Sequence, residues 1–332
     1  MKNAMVIINP CAGKQQSKNK LFDLVNIFFR HGYEVTVFPT QGKNDATNIV
    51  KKNMSKYDLV ICCGGDGTLN EVISGMMMHQ KRPPLGFIPV GTTNDLATSL
   101  KIPKNMLKAA ETIIEGKLFP YDIGMFNQKL YFDYVAAFGI FSDVPYNTSQ
   151  QLKTSLGHLA YVLEGMKTFT KLPSYHMKIE YDGHIIEDDF TFGAITNSLS
   201  MGGLVKYKQK YVQLNDGLFE MLLVKSPRNT LHLSSIITDL LRQQYDKDDV
   251  LLLHAAKINI TSEQEVSWCL DGESGGWQKE VQIINQPRSI NFLVGQDAKG
   301  DINNEKETAS HNRLDSNTDF ELFCSDISLK WY

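Results

Sequence analysis

The sequence lacks several features that would assign it to common classes of protein. No apolar run approaches the roughly 20 residues of a membrane-spanning helix, and the opening "MKNAMVIINP" is too short and wrongly flanked for a signal peptide. The eight histidines are scattered without a His-Glu-x-x-His cluster, so the signature of a metal hydrolase is missing. No Gly-x4-Gly-Lys-Ser/Thr loop occurs either, which excludes the Walker A class of nucleotide-binding protein.

The sequence also has few cysteines and a small net charge. The five cysteines are odd in number and lack metal-ligand spacing, and the adjacent Cys62 and Cys63 lie in an apolar run where reduced thiols are expected. Net charge is −3, and eight acidic against four basic residues from Gln296 onward leave the preceding part near +1. That gives no reason to expect a nucleic-acid partner. These features favour the reducing cytoplasm, and a length of 332 residues predicts two domains.

The first 125 residues alternate between strand and helix patterns. Apolar runs such as "AMVIINP" and "DLVICCGG" predict buried strands, while "SKNKLFDLVNIFFRHG" has apolar residues at helical spacing. This alternation predicts an α/β fold with a parallel sheet, in which ligands bind at the carboxyl ends of the strands. From about Tyr121 the pattern is β-rich, with a hairpin turn in "YDGHII", and predicts a mostly antiparallel sheet.

We therefore predict two domains and a tail. Residues 1–124 form an α/β nucleotide-binding domain, residues 125–295 a β-rich domain, and residues 296–332 a polar, acidic and flexible tail. Two helices are predicted within the second domain, at 155–172 and 231–245, and "VSWCLDGESGGWQKEVQIINQPRSINFLV" predicts a strand, an acidic turn and two more strands. Lysines alternate with tyrosines in "MGGLVKYKQKY", which is compatible with an anionic bilayer surface or with a solvated strand edge.

Three glycine-rich loops follow predicted strands. The first, "GGDGT", has glycines that let backbone N–H groups approach phosphate oxygens, and the helix predicted to begin at Thr68 offers its positive end to an anion. Asp66 fits beside an anion if a cation lies between them or if it orients a reacting group. The loops "IPVGTTNDLATSL" and "INPCAGK" repeat the arrangement. Each alone is also explained as an ordinary capped turn, but three at one sheet edge indicate a nucleotide.

The motifs "NPxxGK", "GGDGTLNEV", "PxGTxNDLA" and "LDGE" occur here in this order. Together they closely resemble the diacylglycerol kinase catalytic family, specifically the soluble bacterial lipid kinases, over roughly residues 1–295. "GGDGT" also occurs in NAD kinases and sphingoid-base kinases, whereas "GTTNDLA" with "LDGE" favours the lipid branch. The resemblance implies an enzyme that uses ATP and Mg²⁺ to phosphorylate the free hydroxyl of diacylglycerol. The product would be phosphatidic acid, which feeds phospholipid synthesis.

The resemblance also implies roles for individual residues. Glu273 corresponds to the family's proton acceptor, with Asp271 close by and Asp66 linked to the catalytic metal and phosphates. A structural magnesium site is implied at Asp216 with the carbonyls of Gln213 and Leu218, and oxygen ligands of this kind suit Mg²⁺. The implied nucleotide-binding residues are Asn9, Pro10, Cys11, Ala12, Gly13, Thr40, Gly64, Gly65, Asp66, Gly67, Thr68, Leu69, Asn70 and Thr92.

The residue types suit this chemistry. An alcohol is protonated at neutral pH, so a carboxylate must accept its proton, and phosphoryl transfer otherwise depends on positioning and charge neutralisation, to which Lys14 could contribute. Without the other motifs, Glu273 would be interpreted as a solvated hairpin acid and Asp216 as a turn aspartate. The alternatives are a kinase of another lipid, an NAD kinase and a non-enzymatic nucleotide or lipid sensor. A cytoplasmic lipid kinase would bind the membrane peripherally and transiently, and relatives suggest a homodimer.

Overall fold

The computed structural model describes residues 1–12, 16–139, 173–198, 200–201, 205–206, 213–229, 231–232, 235–236, 249–296 and 298. Several sequence predictions fall outside these residues. They are Gly13 and Lys14 of the first glycine-rich loop, the helix at 155–172, most of the helix at 231–245, most of the Lys/Tyr segment at 201–211, and the tail except for 296 and 298. No helix within the described ranges is long and apolar enough to cross a membrane.

The N-terminal part is a parallel sheet covered by helices, as the alternating pattern predicted. Its four strands are β1 (Lys2–Ile8), β2 (Tyr33–Pro39), β3 (Leu59–Gly64) and β4 (Leu85–Pro89), in the order β4-β3-β1-β2. The helices are α1 (Gln16–Arg30), α2 (Asp45–Asn53, followed by a 3₁₀ turn at Met54–Lys56), α3 (Asp66–Met77), α4 (Asp95–Ser99) and α5 (Met106–Glu115). Helix α3 begins two residues before Thr68, where the sequence predicted its start, so Asp66 is its first residue.

Helix α5 illustrates how the sequence specifies these elements. The side chain of Asn105 accepts hydrogen bonds from the N–H groups of Leu107 and Lys108 and so caps the helix start. The buried positions recur at helical spacing and form one apolar face, at Met106, Ala109, Ala110 and Ile113. That face packs against β4, where Gly86 leaves room for the Ile113 side chain.

The remaining strands are mostly antiparallel. They are β5 (Lys117–Phe126), β6 (Leu130–Phe132), β7 (Val135–Gly139), β8 (Tyr175–Tyr181), β9 (His184–Thr196), β10 (Ser200–Met201), β11 (Val205–Lys206), β12 (Phe219–Lys225), β13 (Val250–Ala255), β14 (Lys257–Leu270) and β15 (Glu273–Val294). The hairpin predicted in "YDGHII" is confirmed, with Asp182 and Gly183 at φ 41° and 90° between β8 and β9. The α/β class with a β-rich C-terminal part is confirmed.

Strand β15 joins the parallel and antiparallel parts. It pairs antiparallel with β14 and β5, and near its end parallel with β4 through Phe292 and Leu85. The sequence predicted two strands after the acidic turn, and the structure has one. The strand continues through this region with an irregularity in its pairing. There Arg288 has φ 50°, and its N–H donates to Asp122 Oδ1 at 2.6 Å. In the described part of the chain, one sheet of thirteen strands therefore contains both predicted domains.

Buried hydrophobic side chains form two clusters. The first covers the parallel strands and their helices and extends to the end of β15 at Phe292. The second lies among the antiparallel strands, where the ring of Trp268 contacts Phe126 and Phe138 at centroid distances of 5.3 and 5.0 Å. Strand β5 contributes Tyr121 to the first cluster and Phe126 to the second. The domain boundaries at 124 and 295 stay a prediction.

Candidate active site

The loops that follow the parallel strands meet at one edge of the sheet. The N–H of Asn9, after β1, donates to Cys63 O at 2.9 Å, and its side-chain Nδ2 donates to Thr68 Oγ1 at 3.1 Å. The N–H of Thr40, after β2, donates to Ile8 O at 2.9 Å. These bonds bring three predicted nucleotide-binding residues to the carboxyl ends of β1, β2 and β3.

The loops after β3 and β4 approach each other closely. A Cβ added to Gly91 would lie 2.6 Å from Gly65 Cα and 2.7 Å from Asn94 Oδ1, so this contact requires glycine. Asn94, in the left-handed region at φ 53°, holds its own loop by accepting from the N–H of Gly91 and donating to Gly91 O. The next residue, Thr92, is exposed. The result is an edge of bare backbone beside the start of α3, which is suited to an anion.

Two carboxylates occupy the starts of the helices at this edge. Asp66 Oδ2 accepts from the N–H of Asn94 at 2.8 Å, whereas Asp66 Oδ1 is buried and has no hydrogen-bond partner among the residues that the structure describes. Burial raises the pKa of Asp66. Burial, together with the charges of Asp66 and Asp271, raises the pKa of Asp95, the first residue of α4, to about 6. From the sequence, Asp95 of the "NDLA" motif was expected to help cap a short helix and was not predicted as a site carboxylate.

The "LDGE" segment forms a tight two-residue hairpin. Leu270, the last residue of β14, pairs with Glu273, the first residue of β15. Between them, Asp271 and Gly272 have φ 48° and 87°, which is the left-handed pair typical of an Asp-Gly hairpin turn. The side chain of Glu273 is 59% exposed and contacts the ammonium group of Lys43.

The Asp271 carboxylate accepts four hydrogen bonds. Its Oδ1 accepts from the N–H groups of Tyr134 and Val135 at 3.0 and 2.7 Å. Its Oδ2 accepts from the N–H of Asp133 and from Asn70 Nδ2, both at 2.8 Å. A carboxylate has about four acceptor positions, so these bonds fix the hairpin and occupy the oxygens of Asp271. This geometry favours a positioning role for Asp271 and leaves Glu273 as the carboxylate presented to solvent.

Asp133 is an acidic member of the site that sequence reasoning missed. It is 4% exposed, and Asn70 Nδ2 donates to its Oδ1 at 3.2 Å and also to Tyr131 O. Burial and the charge of Asp271 raise the pKa of Asp133 well above its ordinary value, and burial raises the pKa of Asp271 as well. Nothing in "YFDYV" signals this position, because its partners are 63 and 138 residues away in the chain.

The predicted magnesium ligands form a second group, on the turn before β12. Asp216 Oδ1 accepts from the N–H of Leu218 at 3.0 Å. The turn is also fixed by Asp122, whose Oδ2 accepts from the N–H of Gly217 at 2.7 Å. Gln213 is exposed at the start of this segment. Within the described residues there is no group of three or more His, Cys, Asp or Glu side chains that could hold a metal.

A buried carboxyl group lies close to this turn. Glu220 is 2% exposed, and its Oε2 has no hydrogen-bond partner in the described part of the chain. Burial, with smaller contributions from the charges of Asp216 and Asp122, raises the pKa of Glu220 to about 9. Oxygen-rich surroundings with an unsatisfied carboxyl oxygen fit a hard cation held by Asp216 and neighbouring carbonyls. Asp66, with its unpartnered Oδ1, fits a second such cation at the sheet edge.

The structure thus brings most of the predicted site residues together. The loops at the sheet edge contain Asn9, Pro10, Cys11, Ala12, Thr40 and Thr92. The segment from the end of β3 into α3 contains Gly64, Gly65, Asp66, Gly67, Thr68, Leu69 and Asn70. Leu69 can face this edge only with its backbone, because its side chain is fully buried in the first hydrophobic cluster. Asn70 joins this edge to Asp271, since its amide donates to that carboxylate. Asn70 therefore links α3 to the hairpin that carries Glu273.

The fold and the site are those of an α/β protein in which a glycine-rich sheet edge lies beside a set of carboxylates. The diacylglycerol kinase catalytic domain family matches residues 3–126. A diacylglycerol kinase of Bacillus subtilis (strain 168) is 37% identical over 299 residues, which are 89% of this chain and 97% of the relative. A diacylglycerol kinase of Staphylococcus aureus (strain bovine RF122 / ET3-1) is 36% identical over 320 residues, 95% of this chain and 98% of the relative.

Solved structures agree with these relatives. A crystal structure from Bacillus anthracis str. Sterne, which is assigned to the diacylglycerol kinases, has a TM-score of 0.76 at 27% identity and covers 90% of this chain and 98% of its own. The chain belongs to the diacylglycerol kinase family. The resemblance read from the four sequence motifs is therefore confirmed, and with it the prediction of a lipid kinase.

Proposed function

We propose that the protein is an ATP- and Mg²⁺-dependent diacylglycerol kinase. It transfers the γ-phosphoryl group of ATP to the free hydroxyl of diacylglycerol, and the product is phosphatidic acid, which returns to phospholipid synthesis. The observation that carries the proposal is the rigid Asp271–Gly272 hairpin. Four N–H donors hold Asp271, and the hairpin presents the exposed Glu273 beside the helix that begins with the glycine-rich loop.

The sheet edge is proposed to bind the triphosphate. Its support is the close approach of Gly65 and Gly91, which a side chain at Gly91 would prevent. The start of α3 adds the positive end of the helix dipole. The exposed side chain of Thr92 and the loop from Asn9 to Ala12 complete the nucleotide set among the described residues.

Two cation sites are proposed. Asp66, whose Oδ1 has no partner within the described part of the chain, would hold the metal next to the phosphates, while Asp216 and the carbonyls of Gln213 and Leu218 would hold a structural ion. Mg²⁺ at the first site would neutralise phosphate charge during transfer. The hydrogen bond from Asn94 to Asp66 Oδ2 keeps the carboxylate oriented, so its free oxygen has a fixed direction.

Glu273 is proposed as the base that accepts the hydroxyl proton. A general base must reach the proton that it abstracts, and Glu273 is the carboxylate of the hairpin that remains exposed. Asp271 serves as a positioning residue because its oxygens are already occupied by four donors. This division gives the two acids of "LDGE" different tasks.

The substrate explains the remaining parts of the proposal. Diacylglycerol resides in a bilayer, so we propose a cytoplasmic protein that binds the membrane surface peripherally and transiently. We also propose that the protein acts as a homodimer. The name of the relatives, diacylglycerol kinase, supports the lipid substrate, and these relatives cover nearly the whole of this chain. Membrane binding follows from where that lipid resides, and the homodimer is an expectation taken from the family resemblance.

The test is phosphate transfer from γ-labelled ATP with Mg²⁺ to a panel of acceptors. The panel contains diacylglycerol, monoacylglycerol and ceramide in mixed micelles, and NAD without detergent. We expect label in diacylglycerol with the wild type and a loss of label with both Glu273→Ala and Asp66→Ala. Label in NAD would move the protein to a soluble-substrate kinase, and ATP binding without transfer to any acceptor would support a sensor.

A further inference from the structure

Lys43 occupies a position that the proposed reaction does not yet explain. It lies in the loop between β2 and α2, and its Nζ contacts Glu273 Oε2 at 2.5 Å, although the two residues are 230 positions apart. The side chains are 72% and 59% exposed. An exposed ion pair adds little to the stability of a fold, so stability is a poor reason for placing an ammonium group on the proposed base.

The backbone of this loop is held in place by α3. Glu71 Oε1 accepts from the N–H of Asn44 at 2.8 Å, Glu71 Oε2 accepts from the N–H of Ala46 at 3.1 Å, and Thr47 Oγ1 donates to Glu71 O. The Glu71 carboxylate thus caps the start of α2. Because Glu71 follows Asn70 in α3, one turn of that helix fixes both the loop of Lys43 and the hairpin of Glu273.

The charges around the site make a basic side chain valuable there. Asp66, Asp95 and Asp271 lie close enough for their charges to act on one another. A nucleoside triphosphate brings several more negative charges to the same edge. The hydrogen bond and charge of Glu273, with a smaller effect of Glu71, raise the pKa of Lys43, so it is fully charged near neutral pH.

The distance between a base and the reacting phosphorus places Lys43 near the end of the triphosphate. A general base lies within about 3 Å of the attacking hydroxyl, and that oxygen lies about 3–3.5 Å from the phosphorus. Glu273 is therefore two contacts from the γ-phosphorus and the ammonium group of Lys43 is one contact further, a span that rotation about the flexible lysine side chain can shorten.

We propose that Lys43 binds the terminal phosphate of the nucleotide and that Glu273 holds it in the nucleotide-free protein. The inference rests on the proposed function, because it takes Glu273 as the base and the sheet edge as the nucleotide site. When the terminal phosphate takes the ammonium group, the Glu273 oxygen loses its hydrogen-bond donor and is released to accept the proton of the lipid hydroxyl. Nucleotide binding thereby prepares the base before the lipid reacts.

The test compares the affinities of AMP-PNP and ADP, in the presence of Mg²⁺, by isothermal titration calorimetry on the full chain. We expect Lys43→Gln to weaken the affinity for AMP-PNP about tenfold, which corresponds to the loss of one charge-assisted hydrogen bond. The affinity for ADP should change by less than about twofold. Lys43→Arg keeps the cation and should retain most of the AMP-PNP affinity. Lys52→Gln, an exposed lysine of α2, is the matched control and should have no effect.

A second comparison tests whether Glu273 holds the ammonium group of Lys43 in the nucleotide-free protein. We expect Glu273→Gln to tighten AMP-PNP binding several-fold in a chain with Lys43, and to have a clearly smaller effect when combined with Lys43→Gln. Equal tightening in both backgrounds would contradict the hold, and an unchanged AMP-PNP affinity of Lys43→Gln would contradict the phosphate contact. If the wild type bound neither nucleotide, the proposed function would fail together with the inference. If it bound both and Lys43→Gln had no effect, the inference alone would fail.

Discussion

At the scale of single residues, the carboxylates of the site differ in how many hydrogen bonds they accept. Among the described residues, Asp271 accepts four, Asp66 Oδ2 accepts from Asn94 while its Oδ1 has no partner, and Glu273 is exposed beside Lys43. A fully occupied carboxylate is suited to fix the backbone, whereas a free oxygen is suited to a cation or a proton. The three carboxylates of the site are therefore suited to different tasks.

The role of Asp271 predicts a stability effect. In Asp271→Ala the N–H groups of Asp133, Tyr134 and Val135 lose their acceptor, and each unsatisfied buried donor costs about 1–3 kcal/mol. We expect the free energy of unfolding in urea to fall by about 2–5 kcal/mol in total, because relaxation and water recover part of the loss. Glu273→Ala, two residues away and exposed, should leave it nearly unchanged. Equal stability of both variants would contradict the positioning role.

The half-buried position of Asp95 predicts a pH effect. Its pKa is about 6 in the fold against an ordinary 3.8, so between these values the folded state binds more protons than the unfolded state, and stability falls as pH rises through this window. We expect Asp95→Asn, measured in EDTA, to be more stable than wild type at pH 7.5 by about 1–2 kcal/mol after allowance for solvent screening. The advantage should disappear near pH 4. A difference that is independent of pH would contradict this account.

At the scale of elements, helix α3 organises the site. Its first residue is Asp66, and its next turn carries Asn70, which holds the "LDGE" hairpin, and Glu71, which caps α2. The motif "GGDGTLNEV" is thus a loop and a helix turn whose side chains face two other loops. The glycines have a separate task, because they let the loops after β3 and β4 come together.

The contact between those loops predicts the effect of one methyl group. In Gly91→Ala the new Cβ would meet Gly65 Cα at 2.6 Å, which forces the backbone loops apart. We expect a loss of about 1–3 kcal/mol in the free energy of unfolding and a clear fall in AMP-PNP affinity. Gly42→Ala is the matched control, since nothing lies within 4 Å of its added Cβ. If both variants kept wild-type stability and affinity, the close approach would not be needed.

At the scale of the whole molecule, local patterns predicted the alternating strands and helices because burial on both sheet faces leaves continuous apolar runs, as in β1 and β3. The glycine motifs likewise indicated where the site lies. The continuous course of β15 was not predictable, because "NQPRS" interrupts the apolar pattern. Its backbone is held there by Asp122, 166 residues before Arg288 in the chain.

The same reason explains the site residues that were missed. Asp133 and Lys43 have ordinary sequence neighbours, and their importance comes from partners brought near by the fold, such as Asp271 and Glu273. Motifs reveal residues whose neighbours in sequence share their task. They do not reveal residues whose partners arrive from another strand.

The central claim is that the hairpin presents Glu273 as the base of phosphoryl transfer to diacylglycerol. The most direct measurement is the kcat for diacylglycerol in mixed micelles, with Glu273→Gln compared with Glu280→Gln, an exposed acid on the same strand. We expect Glu273→Gln to lose about 10²–10⁴-fold in kcat with unchanged thermal stability, and Glu280→Gln to match the wild type. A kcat of Glu273→Gln within a few-fold of the wild type would contradict the account.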